Sequence, residues 1–348
     1  MIPNIPIIDF ALLQKYIVKN QVKIIRYLKL SLPPIVFFYL VSKFNKYYIL
    51  YRNYNFYEGA KKYLLSYLSN FPLVRQHINK KIKSTKQDIA KEFNENLLAN
   101  NLIIRQKLPQ SGLSDESIVS TMTQYREIDD GVSDKHKISG TIYSLNTNHT
   151  NLLKNIFPLY LKSNPLHPDS FPCLRKMELD VIKMTLSLYN GNNNSVGCLT
   201  AGGTESILLA CKAYSNLGKT RNIYYPEMIV PMTVHAAFDK AADYYNIKII
   251  KVPVDKDTDL PDMDYIKASI NSNTVLIVGS APGYPHGIID PIGELSEICL
   301  KHNIGLHVDC CLGGFILPFL EMNELFDFRL KGVTSISADL HKYGNSPK

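Results

Sequence analysis

Two residues near the end of the chain have types and spacing that could support covalent chemistry. The apolar run at residues 304–309 predicts a buried strand that ends in the carboxylate of Asp309 and precedes a pair of glycines. The next candidate strand, residues 332–337, is followed by Lys342, which lies 33 residues beyond Asp309 and directly after His341. A buried carboxylate requires a cationic partner, so we expect Asp309 and Lys342 to act together.

An aspartate at one strand end and a lysine beyond the next are what pyridoxal phosphate needs. The carboxylate keeps the ring nitrogen protonated, so that the ring can act as an electron sink, and the lysine forms a Schiff base with the cofactor. The same residues would also form a structural ion pair beside a solvated histidine. These two segments alone leave both interpretations open.

A third segment favours the cofactor. Residues 195–214 are predicted to run from a short apolar strand through Gly202 and Gly203 into an amphipathic helix. Backbone N–H groups at the start of a helix bind phosphate. A Gly-Gly-Thr turn is a weak signal by itself, because most glycine pairs only turn the chain. A phosphate turn followed in order by Asp309 and Lys342 is a much stronger signal.

Together these segments resemble the sphingosine-1-phosphate lyases, fold-type I pyridoxal-phosphate enzymes related to the group II decarboxylases. The resemblance extends from about residue 72 to residue 348 and includes motifs at residues 139–143, 163–172 and 326–337. It implies pyridoxal 5'-phosphate as the cofactor. It also implies an α/β fold, the large domain of the fold-type I transferases, in which a mostly parallel sheet carries helices on both faces.

The resemblance also implies a set of cofactor-binding residues. Lys342 would form the Schiff base and Asp309 would pair with the ring nitrogen. His235 matches the family histidine that stacks on the cofactor ring. The phosphate would be bound by the remaining members of the set, which are Gly203, Thr204 and His341.

Four further residues are implied on the substrate side. Tyr143 and Lys348 correspond to a family tyrosine and lysine linked to catalysis and to the substrate phosphate. Asn164 and His167 belong to an Asn-Pro-Leu-His motif that lines the same pocket, although both would otherwise be interpreted as turn residues. Which group acts as the general base stays open among Tyr143, Lys348 and a histidine such as His167.

The implied reaction is a retro-aldol cleavage of a phosphorylated sphingoid base to a fatty aldehyde and phosphoethanolamine. One alternative is an amino-acid decarboxylase, which would share Asp309 and Lys342 but would not need the motif at residues 164–169. A second is a truncated, inactive paralogue that serves as a membrane-associated interaction protein.

The sequence departs from the family in three places near the site. Cys310 stands where the family usually has alanine, and Leu340 and Asn345 replace the usual threonine and tyrosine. The chain stops six residues after Lys342, where family members continue into a smaller C-terminal domain. Because family active sites lie at a dimer interface, we expect either a homodimer or a complementing C-terminal chain as partner.

The net charge of +8 is distributed unevenly along the chain. Residues 1–108 contain 18 Lys and Arg against 5 Asp and Glu, whereas residues 109–348 contain 21 against 26. The six cysteines include no C-x-x-C pair, which indicates a reducing compartment and no structural metal. We expect three parts: a basic, aromatic-rich membrane-associated segment at 1–60, a helical linker at 61–135 and a cofactor-binding domain at 136–348.

The basic segment favours a membrane surface over nucleic acid, because tyrosines and phenylalanines crowd residues 39–57. Its uncharged run between Lys29 and Lys43 is 13 residues, against about 20 for a spanning helix. A tilted anchor, an interfacial segment and a buried helix stay open. The resemblance implies the endoplasmic reticulum membrane, with the catalytic part facing the cytosol.

From residue 177 onward, helical and strand patterns alternate, which is typical of a mostly parallel sheet with helices on both faces. Helices are predicted at residues 178–188, 236–245, 263–270 and 294–301. Strands are predicted at residues 229–231, 248–254, 274–279 and 305–308.

Overall fold

The computed structural model describes residues 71–99, 107–136, 146–322 and 324–347, together with positions 64, 67, 68, 102, 140 and 143. The basic segment at residues 1–60 therefore lies outside the described residues. The chain divides into two compact units, Met1–Gly112 and Leu113–Lys348. In the described part of the chain, no helix is long and apolar enough to cross a membrane.

The first unit contains one long described helix, α1 (Pro72–Ala99). Proline stands only at its first position and glycine is absent from it, which favours an uninterrupted helix. Its side chains are almost all exposed over residues 72–95. An ion pair joins Lys91 to Glu95 at 3.6 Å, one helical turn apart, and such a surface pair stabilises a helix by only about 0.2–0.5 kcal/mol.

The second unit opens with four helices that precede the sheet. Side-chain caps mark the starts of the first two, whereas the other two begin without one. The Ser114 hydroxyl accepts a hydrogen bond from the Ser117 N–H at 3.3 Å, and the Asn146 side chain accepts one from the His149 N–H at 3.1 Å. The four helices are α2 (Asp115–His136), α3 (Thr147–Ile156), α4 (Pro172–Leu188) and α5 (Gly203–Thr220).

A five-stranded parallel sheet follows, with strand order β2-β1-β3-β4-β5. The strands are β1 (Glu227–Pro231), β2 (Lys248–Val252), β3 (Thr274–Ser280), β4 (Gly305–Asp309) and β5 (Val333–Ser337). The helices between them are α6 (Ala237–Tyr245), α7 (Met263–Ser269) and α8 (Ile292–His302). The order reverses between β1 and β3, and open parallel sheets bind ligands beyond the carboxyl ends of their strands at such a switch point.

Both faces of the sheet are covered by helices, as predicted. Successive strand residues point to opposite faces. In β1, Met228 and Val230 pack with residues of α5 and α6, whereas Ile229 packs with residues of α7 and α8. The central strands β1, β3 and β4 are therefore buried along their whole length.

Two strand predictions are wrong. The segment before the glycine pair, residues 195–200, is not a strand: Val196 is 89% exposed, and the segment pairs with no described strand. An apolar run needs a ladder partner to become a strand, and this run has none in the described sheet. Strand β2 ends at Val252 rather than at residue 254, because Pro253 cannot donate to the ladder.

Candidate active site

A cavity of about 640 Å³ lies beyond the carboxyl ends of the strands. It brings together five of the predicted residues: Gly203, Thr204, His235, His341 and Lys342. Its volume is in the range of sites that hold small molecules and cofactors. The complete lining is Ala201, Gly202, Gly203, Thr204, Glu205, Ile207, Leu208, His235, Cys311, Asp339, His341 and Lys342.

The glycine turn presents the start of α5 to this cavity. Gly202 has φ 150°, which favours glycine, and α5 begins at Gly203. The Glu205 carboxylate accepts a hydrogen bond from the Ala201 N–H at 2.6 Å and the Thr200 hydroxyl donates to the Gly202 carbonyl at 3.1 Å. N–H groups in the first turn of a helix have no acceptor within the helix. The turn can therefore offer backbone donors to an anion.

Gly203 is required by close packing against Asp339 and Cys311. A Cβ at this position would lie 2.6 Å from Asp339 Oδ2 and 2.8 Å from Cys311 Sγ. We expect Gly203→Ala to displace both side chains and to weaken pyridoxal phosphate binding about 5- to 150-fold, because overpacking costs about 1–3 kcal/mol. Equilibrium titration with the cofactor and thermal unfolding measure the effect.

The matched control is Gly293→Ala in α8, where a Cβ would meet no atom within 4 Å. That substitution should leave cofactor affinity unchanged and should stabilise the helix slightly. Equal cofactor affinities for the two variants would contradict a cradle at Gly203.

Lys342 forms an ion pair with Asp339 rather than with Asp309. Its Nζ lies 2.9 Å from Asp339 Oδ2, and the Asp339 side chain is 5% exposed. Burial lowers the pKa of the Lys342 ammonium, but the hydrogen bond and negative charge of Asp339 outweigh burial and raise this pKa above its ordinary value. The structural ion pair considered for Asp309 and Lys342 is therefore wrong, and Asp339 is a site residue that the sequence reasoning missed.

The ion pair between Lys342 and Asp339 predicts that cofactor attachment depends on pH. Only the neutral amine of Lys342 attacks a carbonyl, and Asp339 keeps it protonated to higher pH. In Asp339→Asn burial remains and lowers the pKa of Lys342, so attachment should proceed at lower pH than in the parent. Stopped-flow absorbance of cofactor attachment across pH measures the midpoint.

Asp327→Asn is the control for that experiment, since Asp327 is a buried carboxylate in an ion pair with Arg329, 2.9 Å away. The pH midpoint of cofactor attachment in Asp327→Asn should equal that of the parent. A midpoint that stays in place or rises in Asp339→Asn would contradict the assignment of the Lys342 partner.

Asp309 is buried at the carboxyl end of β4, two residues before Cys311 of the cavity lining. Its Oδ1 accepts a hydrogen bond from the Cys311 N–H at 3.0 Å and lies 3.4 Å from the Ser337 hydroxyl oxygen. Among the described residues, no group donates to Oδ2 and no cationic side chain forms an ion pair with Asp309. This carboxylate fits a cationic N–H supplied by a ligand.

His235 is held in a defined orientation at the cavity. Its Nδ1 accepts a hydrogen bond from the Ala237 N–H at 3.1 Å, so a proton on the neutral ring belongs to Nε2. The ring packs edge-on against Tyr284, with centroids 5.4 Å apart. Tyr284 was not singled out by the sequence, because no motif around it marks a functional residue.

The predicted substrate residues do not line the described cavity. The Tyr143 hydroxyl donates to the Gly140 carbonyl at 3.0 Å. Its ring packs edge-on against the ring of Tyr343, the residue that follows Lys342 in the sequence, with ring centroids 5.3 Å apart. The Asn164 side chain accepts the Leu166 N–H at 3.0 Å, as in a turn, and the His167 side chain is exposed. Lys348 lies outside the described residues.

Comparison with known proteins identifies the family. The model described as "Pyridoxal-dependent decarboxylase conserved domain" matches residues 103–347. The chain belongs to this family. The parallel sheet with helices on both faces is the fold-type I large domain, and pyridoxal 5'-phosphate is the cofactor of a pyridoxal-dependent decarboxylase domain.

Within the pyridoxal-dependent decarboxylase family, the chain is similar to sphingosine-1-phosphate lyases. Sphingosine-1-phosphate lyase 1 of Mus musculus is 40% identical over 307 residues, which are 87% of this chain and 53% of the mouse protein. The lyase of Dictyostelium discoideum is 40% identical over 298 residues, 84% of this chain and 56% of that protein. The chain thus spans about half the length of these relatives.

A solved structure supports the same relationship. The sphingosine-1-phosphate lyase of Burkholderia pseudomallei is 36% identical and superimposes with a TM-score of 0.68, covering 72% of this chain and 60% of that one. The predicted resemblance and cofactor are confirmed. The individual residue roles stay predictions.

Proposed function

We propose that the protein containing this chain is a pyridoxal-phosphate-dependent carbon–carbon lyase. Its substrate would be a phosphorylated sphingoid base, and its products a fatty aldehyde and phosphoethanolamine. The observation that carries the proposal is the single cavity joining Lys342, His235 and the glycine turn. The similarity to sphingosine-1-phosphate lyases supports the choice of substrate.

Each of the proposed cofactor-binding residues contacts a different part of the cofactor. Lys342 attaches the cofactor through its Nζ. The N–H groups at Gly203 and Thr204 bind the phosphate with His341 close by, and the ring of His235 packs on the cofactor ring. Asp309 accepts the ring N–H through Oδ2, which receives no hydrogen bond from the described residues. When bound, pyridoxal phosphate supplies an electron sink for the bond that breaks.

The substrate side needs a base that removes the proton of the substrate hydroxyl. Tyr143, Lys348 and His167 are the candidates, with Asn164 as a further substrate contact. Tyr143 is supported by its contact with Tyr343, which follows Lys342 in the chain. His167 and Asn164 rest on the Asn-Pro-Leu-His motif alone. A base in this role contributes about 10²–10⁴-fold to the rate.

The proposed function is tested by supplying two substrate classes to the same purified, cofactor-saturated protein. With a phosphorylated sphingoid base we expect aldehyde and phosphoethanolamine in equal amounts. With glutamate or an aromatic amino acid we expect no carbon dioxide. Carbon dioxide from an amino acid without aldehyde from the sphingoid base would support the decarboxylase instead. No product with either class, and no covalent cofactor, would support an inactive interaction protein.

We also propose that residues 1–60 associate the protein with the endoplasmic reticulum membrane, with the catalytic unit in the cytosol, and that two copies assemble. The basic, aromatic-rich composition supports membrane association. Deleting residues 1–60 should move the protein from the membrane pellet to the supernatant. A deletion variant that stays in the pellet would contradict the proposal, and release of the full chain by salt alone would favour surface attraction over an apolar anchor.

A further inference from the structure

A line of hydrogen-bonding side chains lies behind Asp309 and takes no part in the proposed chemistry. Tyr214 and Ser335 are joined through their hydroxyl oxygens at 2.6 Å, and Ser335 Oγ lies 2.7 Å from His307 Nδ1. On the other side of the ring, His307 Nε2 lies 3.1 Å from Ser337 Oγ, which lies 3.4 Å from Asp309 Oδ1. We call these five residues the Asp309 chain.

The register of two strands builds the Asp309 chain. His307 pairs with Ser335 and Asp309 pairs with Ser337 across β4 and β5. Residues two apart on a strand share a face, so all four side chains stand in one row. His307 is 1% exposed and Ser337 is 3% exposed. Polar groups buried in this way must be satisfied by one another.

His307 is neutral in this environment. Burial lowers the pKa of the ring to about 4, although the charge of Asp309 opposes that effect. A neutral imidazole donates from one nitrogen and accepts at the other. The direction of the whole chain therefore depends on which nitrogen of His307 carries the proton.

The hydrogen bonds of the Asp309 chain can run in either of two donor-to-acceptor directions, and each direction satisfies nearly all of its contacts. In one, the hydroxyl of Ser337 donates to His307 Nε2. His307 Nδ1 then donates to Ser335, Ser335 donates to Tyr214, and Tyr214 donates to the Thr334 hydroxyl, 2.6 Å away. In the other, His307 Nε2 donates to Ser337, and the Ser337 hydroxyl donates to Asp309. Only the second direction gives the carboxylate an additional hydrogen bond.

We propose that His307 is a positioning residue whose Nε2–H directs the Asp309 chain toward Asp309. A charged Asp309 favours this direction, because a hydrogen bond to an ionised group is about twice as strong as a neutral one. With Oδ1 occupied by Ser337 and the Cys311 N–H, the carboxylate is fixed and Oδ2 is left for the ring N–H of the cofactor. The inference rests on the proposed role of Asp309 as partner of the ring nitrogen.

The test compares pyridoxal phosphate with its analogue in which the ring nitrogen is replaced by CH. Binding of both compounds to the full chain is titrated for the parent, Ser337→Ala, His307→Leu and His307→Gln. Ser337→Ala and His307→Leu should weaken binding of pyridoxal phosphate about tenfold or more and leave binding of the analogue within twofold. The amide N–H of His307→Gln should restore much of the selectivity.

Two further variants separate the possible failures. Ser215→Ala alters a buried serine outside the Asp309 chain and should bind both compounds like the parent. Asp309→Asn should lose selectivity for pyridoxal phosphate, and if it does not, the proposed role of Asp309 is wrong. If Asp309→Asn loses selectivity while Ser337→Ala and His307→Leu weaken both compounds equally, or neither, the inference about His307 is overturned and the proposed function stands.

Discussion

Replacing Lys342 with alanine is expected to lower the rate of aldehyde formation by at least about 10³-fold and to remove the visible absorption of lysine-bound cofactor. Loss of a residue that forms the covalent link in catalysis removes several powers of ten in rate. The pocket of the variant keeps its glycine turn and His235, so weak noncovalent binding of pyridoxal phosphate should survive. The rate of aldehyde release and the absorption spectrum are both measured on protein saturated with cofactor.

Lys331→Ala is the control, since Lys331 is an exposed lysine just before β5. It should keep the absorption and the rate of the parent. Retention of the absorption band in Lys342→Ala would mean that another lysine holds the cofactor. A rate within tenfold of the parent would contradict the central role of Lys342 even if the band were lost.

The second large effect is expected for Asp309→Asn. A neutral amide cannot favour the protonated ring nitrogen as a carboxylate does, so the rate of cleavage should fall about a hundredfold or more, in the range of losing a catalytic acid or base. Attachment of pyridoxal phosphate to Lys342 should persist, because its partner there is Asp339. The measurement is turnover per bound cofactor, with occupancy taken from absorption.

Asp290→Asn provides the matched control, because Asp290 is a second buried carboxylate close to Asp309. Burial raises the pKa of Asp290 to about 6, the hydrogen bond from the Ser280 N–H opposes this rise, and the charge of Asp309 adds to it. The control removes a buried charge near Asp309 but keeps the Asp309 carboxylate itself. Equal losses of turnover in Asp290→Asn and Asp309→Asn would show a general response to the loss of a buried charge. That result would contradict a specific role for Asp309.

Much of the fold was predictable because its signals are local. Alternating apolar strands and amphipathic helices predicted the parallel sheet. Lys342 and the glycine turn at Gly203 were predictable from the chemistry of their residue types and their order in the chain, whereas His235 was expected at the cofactor only through the family resemblance. The strand order was not predicted, because the choice of neighbour for each strand depends on packing across the whole sheet.

The features that the sequence did not predict have a different cause, because they depend on contacts between distant segments. The ion pair of Asp339 with Lys342 spans three residues, but it depends on the turn after β5 and on the room left by Gly203. The Asp309 chain depends on the register of β4 and β5, whose paired residues are 28 apart in sequence. The apolar residues before the glycine pair predicted a strand, but strand formation also requires a partner that composition does not reveal.

The most direct test of the account is to find the lysine that carries the cofactor. The purified full chain is saturated with pyridoxal phosphate, reduced with borohydride so that the cofactor is fixed to its lysine, digested and analysed by mass spectrometry. We predict one added phosphopyridoxyl mass, on the peptide that contains Lys342. A modified peptide that contains another lysine of the chain, with Lys342 unmodified, would contradict the account.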